Sequence, residues 1–398
     1  MKNKCSIFLG AIFFLFLMLP QFEFFFNLNS EGEMLQNRPL HSFPKINIMS
    51  LMSASFARGL NEYIWDHLPL RENFLSFDHW IDYYIFNDSP IPEEVLLGKE
   101  EWLFLYPSVM DWPKKNAQEV EKFVKLSRIA TELQRKTGKQ ILIIPSPSKA
   151  SIYPEFLSNY HQKEYLKFAS IFHKQLQTAA LNTNSLFLLW EPFRNEKNRL
   201  LNNKQTSSPI NSRTRFLFRP RDRHFNWETS VFQTKIIIDR IFPGAWNNNI
   251  YDNYFDQYKF QKSEMEKRFI KINLPEPYHT FLFENFMKEF QIVKEEYPVK
   301  KTKGNIVVFK AGITTDIKPL PKKLVVVHDS FFVQSQLLMA PYIKESTYMH
   351  WSISENFSFF METIIKADIL IIQSVEDAWS WRLDLLERIL KELYNNSI

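Results

Sequence analysis

A serine follows one of the apolar runs of the chain, where a reactive group is easily exposed. Ser330 comes just after the run Lys-Leu-Val-Val-Val at 323–327 and just before a stretch compatible with a helix. In that position the hydroxyl is exposed, and backbone N–H groups at the helix start can stabilise an oxyanion. Ser330 is therefore the candidate nucleophile of an acyl transfer reaction. The alternative is that its hydroxyl only caps the helix.

A histidine and an aspartate two residues apart are suited to activate this serine. Serine is a weak nucleophile until a base takes its proton, and histidine is most effective when a carboxylate fixes its tautomer. Asp222 and His224 lie between the strand-like run 215–218 and a predicted helix. A spacing of two points both side chains to the same side of an extended loop. We predict a triad of Ser330, His224 and Asp222, the alternative being a histidine that caps the next helix.

The elements that position these groups alternate between helix and strand. Apolar residues recur at helical spacing over 117–138, where Gly138 is a plausible end, and over 161–180, 227–242, 359–366 and 379–394. Strand-like runs occur at 140–148, 185–191, 215–218, 323–327 and 367–373. This alternation predicts an α/β fold with a doubly wound, mostly parallel sheet flanked by helices. Reactive residues gather at the carboxyl ends of such strands.

Two segments depart from this alternation. Residues 28–113 contain many prolines and short amphipathic pieces, which indicates a membrane-proximal lead-in segment. The catalytic domain is then expected at 114–398. Within it, residues from about 243 to 302 are rich in Tyr, Asn, Lys and Glu, and we interpret them as an insertion.

Residues 1–27 predict a membrane anchor or signal. Lys2 and Lys4 precede an apolar run at 5–20, and acidic residues follow it. By the positive-inside rule, the rest of the chain then lies outside the cytoplasm. No small-x-small cleavage site follows the run, so an uncleaved anchor is favoured over a cleaved signal. A buried N-terminal helix is a further alternative.

The composition argues against several classes of protein. The 49 basic and 44 acidic residues are not concentrated in basic runs, so no nucleic-acid partner is expected. The single cysteine, Cys5, cannot form a disulfide within the chain. None of the nine histidines has a spacing typical of metal ligands. With only 8 glycines there is no glycine-rich phosphate loop, and we expect neither a metal nor a cofactor.

The joint order of several motifs resembles that of a known family. In chain order the motifs are Asn-Arg-Pro-Leu at 37–40, Gly-Lys-Glu-Glu-Trp-Leu-Phe at 98–104, Pro-Ser-Lys at 147–149, Tyr-Pro at 153–154, Asp-Arg-His at 222–224 and His-Asp-Ser-Phe at 328–331. They resemble the SGNH hydrolase-like domain of the periplasmic alginate O-acetyltransferases, the AlgX and AlgJ family, in which an Asp-x-His motif precedes the serine motif. The resemblance spans nearly the whole chain and implies a flavodoxin-like SGNH fold.

The chain departs from the family pattern at a few positions. Gln36 stands where the family commonly has Glu, Phe225 where it has Trp, and Glu100 and Glu101 where it has a glycine-containing turn. None of these is a predicted triad residue. Because ring-stacking and groove residues select the sugar, alginate itself is not implied.

Three residues near the strand ends are candidate substrate contacts. His328 either lines the site or is a structural group that closes a buried strand. Lys149 and Tyr153 follow the first strand and would lie on the same sheet edge, where they could contact an anionic polymer or the donor. A surface lysine and a packed tyrosine are the favoured alternatives.

The predicted function is O-acetyl transfer to an extracellular polysaccharide through an acyl-enzyme on Ser330. Because acetyl-CoA is cytoplasmic, the resemblance implies a membrane-bound O-acyltransferase partner that supplies the acetyl group. The protein is expected in the periplasm, anchored to the inner membrane. Two other functions stay open, a carbohydrate acetylesterase with the same triad and a non-catalytic polysaccharide-binding or assembly scaffold.

Overall fold

The computed structural model of the chain describes residues 10, 14, 41–46, 53–66, 71–202, 216–247, 250–251, 254–261, 276–299, 305–314 and 317–396. They form two compact units, one ending at Val95 and the other drawn from Leu96–Gln261 and Pro275–Ile398. The first unit contains helix α1 (Ala54–Asp66), helix α2 (Arg71–Ile81) and a π-helical turn at Asp82–Phe86.

The predicted membrane segment cannot be compared with the structure in detail. Apart from Gly10 and Phe14, residues 1–27 lie outside the described residues, as does the motif at 37–40. Among the helices that are described, none combines the length and apolarity needed to cross a membrane.

The second unit contains the elements that carry the predicted site. The strands, with β1 starting at the unit boundary, are β1 (Val95–Leu97), β2 (Leu103–Leu105), β3 (Gln140–Ser146), β4 (Phe255–Gln261), β5 (Glu276–Phe281), β6 (Ile292–Pro298), β7 (Asn305–Ala311), β8 (Leu320–His328), β9 (Ile343–His350) and β10 (Ile369–Val375). The α-helices are α3 (Tyr106–Met110), α4 (Trp112–Thr137), α5 (Lys149–Ile152), α6 (Asn159–Ala180), α7 (Trp190–Asn202), α8 (Trp227–Ile241), α9 (Phe283–Glu289), α10 (Val333–Met339), α11 (Phe357–Ile365) and α12 (Leu383–Asn395). Short 3₁₀ turns follow β8 at Ser330–Phe332 and β10 at Glu376–Trp381.

The central sheet is mixed. Its strand order is β3-β10-β8-β9-β7-β6. Strands β3, β10, β8 and β9 are parallel, whereas β7 and β6 pair in antiparallel fashion. The predicted mostly parallel sheet is therefore parallel in its first four strands and antiparallel beyond them. The four parallel strands end at one edge of the sheet, which is where the predicted reactive residues follow.

Both faces of the parallel strands are covered. Every residue of β10 is buried, and alternate residues belong to two separate apolar clusters. Ile369 and Ile371 pack with helices α8 and α10, whereas Leu370 and Ile372 pack with α4 and α12. This arrangement explains why the strand reads as a continuous apolar run, because a parallel sheet needs apolar side chains on both faces.

Three predicted strands are confirmed and two are wrong. The runs that became β3, β8 and β10 were identified correctly, and helix α4 ends where Gly138 adopts a positive φ of 70°. The run 185–191 forms only one bridge, from Leu186 to Ile143, before α7 begins. The run 215–218 likewise forms one bridge, from Phe218 to Phe225.

In the run 215–218, the backbone groups of Phe216 and Leu217 form hydrogen bonds with side chains and not with a neighbouring strand. The Leu217 N–H donates to the Tyr153 hydroxyl at 2.9 Å, and the Leu217 carbonyl accepts from Thr229 Oγ1 at 2.7 Å. The Phe216 carbonyl accepts from Asn226 Nδ2 at 2.8 Å. Because these groups are already hydrogen-bonded, no ladder is needed to keep them buried.

One part of the predicted insertion forms a small sheet of its own, and another part belongs to the central sheet. Strands β4 and β5 pair only with each other in the described part of the chain, and helix α9 follows them. Strand β6, near the end of the same segment, pairs with β7 and forms the outer strand of the central sheet. The run Arg-Phe-Ile-Lys-Ile-Asn-Leu at 268–274, a short candidate strand within this segment, lies outside the described residues.

A glycine from the matched motif at 98–104 occupies a site with no room for a side chain. A Cβ on Gly98 would lie 2.3 Å from the Phe156 carbonyl oxygen and 3.1 Å from that of Trp102. Both are backbone atoms, and the Gly98 N–H also donates to the Trp102 carbonyl at 2.7 Å. The turn between β1 and β2 therefore depends on glycine for space.

We expect Gly98→Ala to lower the free energy of unfolding by about 2 kcal/mol, since the backbone must move to relieve the contact. Urea denaturation monitored by circular dichroism measures this change. Gly138→Ala is the matched control, because a Cβ there meets nothing within 4 Å and only the positive φ is unfavourable; its expected cost is about 1 kcal/mol. A Gly98→Ala variant as stable as wild type would show that the turn has space for a methyl group.

Candidate active site

Ser330 lies at the carboxyl edge of the parallel strands. Strand β8 ends at His328, and Ser330 is the first residue of the 3₁₀ turn that follows. The serine is exposed, whereas its neighbours Asp329 and Phe331 are buried. The strand-to-helix turn thus presents one polar side chain outward between two buried ones.

His224 lies within hydrogen-bond distance of each of the other two predicted triad residues. His224 Nε2 is 2.9 Å from Ser330 Oγ, and His224 Nδ1 is 3.3 Å from Asp222 Oδ1. The backbone N–H of His224 also donates to Asp222 Oδ1 at 3.0 Å. A carboxylate on Nδ1 favours the tautomer whose Nε2 is unprotonated. The geometry is therefore suited to proton transfer from the serine to the histidine.

Asp222 remains charged in spite of its burial. Its side chain is 4% exposed, and its second oxygen, Oδ2, forms an ion pair with Arg219. Burial alone would raise the pKa, but the hydrogen bond with His224 and the charge of Arg219 outweigh burial. Together they hold the pKa of Asp222 well below its usual range. The carboxylate can therefore stabilise a protonated His224.

Apolar packing and a helix cap fix the loop that carries His224. Phe225 packs against Phe218 and Phe331, with ring centroids 4.9 Å and 5.2 Å apart. Asn226 caps helix α8 by accepting from the Thr229 N–H at 2.8 Å. The contact with Phe331 joins this loop to the residue that follows the serine.

A buried carboxylate holds the turn that carries Ser330. Asp329 Oδ1 accepts from the Phe331 N–H at 3.0 Å. Asp329 Oδ2 accepts from the Val375 N–H at 2.7 Å and from Ser374 Oγ at 3.0 Å. The Asp329 N–H donates to Gln373 Oε1 at 3.2 Å. The serine turn is therefore attached to strand β10 by three contacts.

These contacts change the expected oxyanion site. The Phe331 N–H is taken by Asp329 Oδ1, and the Phe332 N–H donates to the Asp329 carbonyl at 3.1 Å. The expectation that N–H groups at the helix start are available is therefore wrong for these two residues. The N–H of Ser330 itself has no acceptor among the described residues and lies nearest to the nucleophile.

Lys149 is buried beneath the loop that carries Asp222. Its ammonium group donates to the carbonyls of Leu103 at 2.8 Å, Asp222 at 3.0 Å and Pro220. It also lies 4.9 Å from the centre of the Trp102 ring. This placement favours a structural role for Lys149 over contact with a polymer.

Tyr153 and His328 are also inside the protein. Tyr153 is fully buried, and its hydroxyl accepts from the Leu217 N–H at 2.9 Å. His328 is 3% exposed, with Nδ1 2.8 Å from the Asp329 carbonyl and Nε2 2.8 Å from Gln336 Nε2. The Nδ1 proton therefore points to the carbonyl, and Nε2 accepts from the amide. Their burial favours structural roles, and contact with a substrate stays a prediction.

Three polar residues of this region were not singled out from the sequence. Arg219 and Asp329 support the triad as described above, but the sequence around them does not indicate which groups their side chains contact. Asp377 follows β10, and its Oδ1 has no partner among the described residues. Burial, together with the charges of Glu376 and Asp329, raises the pKa of Asp377 to about 7.

No metal site accompanies the triad in the part of the chain that is described. No group of three or more His, Cys, Asp or Glu side chains is placed to hold a metal ion there. The triad itself contains no redox-active group.

A family model supports the resemblance that the motifs suggested. Residues 95–199 match the SGNH hydrolase-like domain of acetyltransferase AlgX. The chain thus resembles the AlgX acetyltransferases. The AlgX-like segment runs from β1 into α7 and includes Lys149 and Tyr153, whereas the three triad residues lie beyond it. Among curated proteins, no sequence matches this chain.

Several solved structures show similarity to the chain. Bacillus cereus PatB1 with a sulfonyl adduct is 11% identical, with a TM-score of 0.49 over 71% of this chain and 96% of that one. The O-acetyltransferase domain of Pseudomonas putida AlgJ is 15% identical, with a TM-score of 0.43 over 76% and 99%. Pseudomonas aeruginosa AlgX is 10% identical, with a TM-score of 0.35 over 75% and 67%.

The burial of His328 predicts a pH dependence of stability. Burial lowers the pKa of His328 to about 4, from an ordinary value of 6.5. Between these values the unfolded chain binds a proton that the folded chain does not, so stability falls as the pH drops from about 6.5 to about 4. The loss due to this residue is about 3 kcal/mol.

His328→Asn should remove this component while it keeps a donor near the Asp329 carbonyl. Urea denaturation of both proteins at pH 7 and pH 4 measures the loss of stability due to His328. The contributions of titrating groups that the two proteins share cancel when the two losses are subtracted. We expect the wild type to lose about 3 kcal/mol more than the variant over this range. Equal losses would mean that folding does not lower the pKa of His328.

Proposed function

We propose that this protein is an O-acetyltransferase that acts on hydroxyl groups of an extracellular polysaccharide through a covalent intermediate on Ser330. The observation that carries the proposal is the 2.9 Å contact between Ser330 Oγ and His224 Nε2, with Asp222 on the opposite side of the imidazole ring. The match of residues 95–199 to an acetyltransferase domain supports the class of reaction.

In the first step, Ser330 Oγ attacks the carbonyl carbon of an acetyl donor while its proton moves to His224 Nε2. The carbonyl oxygen becomes an oxyanion, which we assign to the N–H of Ser330. The intermediate then collapses, and the bond to the donor oxygen or sulfur breaks. The leaving group takes the proton from His224, and the acetyl group remains on Ser330.

In the second step, a sugar hydroxyl gives its proton to His224 Nε2 and attacks the acetyl carbon. The bond to Ser330 breaks, and the serine recovers the proton from His224. Asp222 stabilises the imidazolium in both steps, because its low pKa keeps it ionised at neutral pH. No proton or electron from outside the donor and acceptor is required.

An acetylesterase differs from this mechanism only in the acceptor. Ser330 is exposed, so water can reach the acyl-enzyme and compete with a sugar. This exposure is the observation that favours the esterase as the second candidate. The non-catalytic scaffold is less favoured, because polymer binding alone does not require an ionised aspartate, a histidine and a serine in hydrogen-bonded order.

The proposal also includes the location of the protein and the source of its acetyl group. The charge pattern of residues 1–27 supports a protein that is held at the inner membrane with its acetyltransferase unit in the periplasm. Because acetyl-CoA is confined to the cytoplasm, we propose that a membrane-bound O-acyltransferase partner passes the acetyl group across the membrane.

Ser330→Ala tests the nucleophile. With purified full-length protein, p-nitrophenyl acetate and a set of oligosaccharides, we expect the variant to lose about 10³-fold or more in kcat/KM. Ser55→Ala, at an exposed serine of the first unit, is the control and should keep full activity. Acetylated oligosaccharide detected by mass spectrometry supports the transferase, and free acetate alone supports the esterase. Equal activity of wild type and Ser330→Ala would exclude the serine mechanism.

Asp222→Asn tests the orientation of the histidine. The amide cannot stabilise an imidazolium and favours the wrong tautomer, so we expect kcat to fall about 10³- to 10⁴-fold with little change in KM. Because the substitution also leaves Arg219 without its carboxylate, thermal denaturation must show that the variant is folded under the assay conditions. A folded variant with wild-type kcat would mean that Asp222 has only a structural role.

A further inference from the structure

A cavity lies apart from the triad. It has a volume of about 490 Å³ and lies between helices α5, α6 and α7. None of the three triad residues lines it. This size is within the range of pockets that hold small ligands and is large enough for a sugar ring. It is therefore a separate place where a ligand could bind.

The lining of this cavity is cationic. Lys174, Arg194 and Lys197 line it together with His173, and no aspartate or glutamate is among its described lining residues. Its other polar groups are hydroxyls and amides, including those of Gln177 and Asn198. Three positive charges around one concave surface attract an anion.

Two of these cations have no carboxylate partner. Within the described residues, neither Lys174 nor Arg194 forms an ion pair. The Arg194 guanidinium contacts His173, whose Nδ1 lies 3.5 Å from Nη2. Lys197, by contrast, pairs with Glu155 at 2.6 Å and donates to the Ile152 carbonyl at 2.6 Å. The guanidinium of Arg194 therefore keeps donors that an anion can use.

A second carboxylate beside the cavity, that of Glu376, is also engaged. Glu376 is buried, and its Oε2 lies 2.8 Å from His173 Nε2. Its Oε1 accepts from the Ser148 N–H at 3.0 Å and from Ser148 Oγ at 2.6 Å. With both oxygens occupied on the far side of the His173 ring, Glu376 is not positioned to neutralise Arg194.

We propose that this cavity binds an oxyanion, a carboxylate or a phosphate, carried on a group about the size of a sugar ring. Arg194 receives the anion through its planar pair of N–H donors, and Lys174 adds charge at the mouth. Gln177 and Asn198 bond hydroxyls of the same ligand. The proposal does not depend on the catalytic function, since it concerns a site that shares no lining residue with the triad.

Three matched sugars test the proposal. Binding of D-glucuronate, D-glucose 6-phosphate and D-glucose to the full-length protein is measured by ligand-observed NMR without any acetyl donor. We expect one or both of the anionic sugars to bind and neutral glucose not to bind. Preference for glucuronate identifies a carboxylate as the natural group, and preference for glucose 6-phosphate identifies a phosphate.

Variants show whether binding occurs in this cavity. Arg194→Gln should weaken the binding of the anionic sugar at least about tenfold, and Lys174→Gln, at an exposed position, should weaken it by less. Arg199→Gln is the control, because Arg199 lies on the same helix but pairs with Glu196 and does not line the cavity. Failure of both anions to bind with a Kd tighter than about 10 mM overturns the proposal. Binding that Lys174→Gln and Arg194→Gln leave unchanged overturns it as well.

Discussion

The geometry of the candidate site depends on the buried carboxylate of Asp329. A charge inside a protein is tolerated only when hydrogen bonds replace the water that it loses. Asp329 obtains them from the Phe331 N–H in its own turn and from Ser374 and Val375 at the end of the neighbouring strand. The turn that exposes Ser330 is therefore fixed to the sheet by the same bonds that make the burial of Asp329 possible.

The base, His224, and the nucleophile, Ser330, are held in place by different groups. The ammonium of Lys149 holds the backbone of the Asp222 loop through the carbonyls of Pro220 and Asp222, and Arg219 holds the carboxylate. Packing of Phe225 on Phe331 joins the two halves. Asp329 thus positions the turn that carries Ser330, and Lys149 positions the loop that carries Asp222 and His224. The apolar contact then holds His224 close to Ser330.

The sequence was most informative where a continuous run of apolar residues indicates a buried strand. Continuous apolar runs predicted β3, β8 and β10, because both faces of these strands are covered. The rule that reactive residues follow strand ends led to Ser330, which comes after β8, but the run 215–218 before His224 forms one bridge and no strand. Strand β9 was missed because its first half, with Lys344, Glu345 and Ser346, contains no continuous apolar run.

Other features could not be predicted because they depend on tertiary partners. A strand was expected at 215–218, but the side chains of Tyr153, Asn226 and Thr229 replace the missing neighbour. Free N–H groups were expected after Ser330, but the side chain of Asp329 occupies one of them. Lys149 was expected at the surface, and nothing in its local sequence indicates three carbonyl acceptors from distant segments.

The position of Lys149 also restricts how the sequence can change over evolution. Its ammonium connects carbonyls from two other segments, one at Leu103 and one at Pro220 and Asp222. A neutral side chain would remove one donor from each of these carbonyls, of which that of Pro220 also accepts from the Leu103 N–H at 2.9 Å. The wider guanidinium of arginine needs more space than the ammonium of lysine. We therefore expect a change at this position to be accompanied by changes in the other two segments. The three segments are thus expected to vary together, although dozens of residues separate them in the chain.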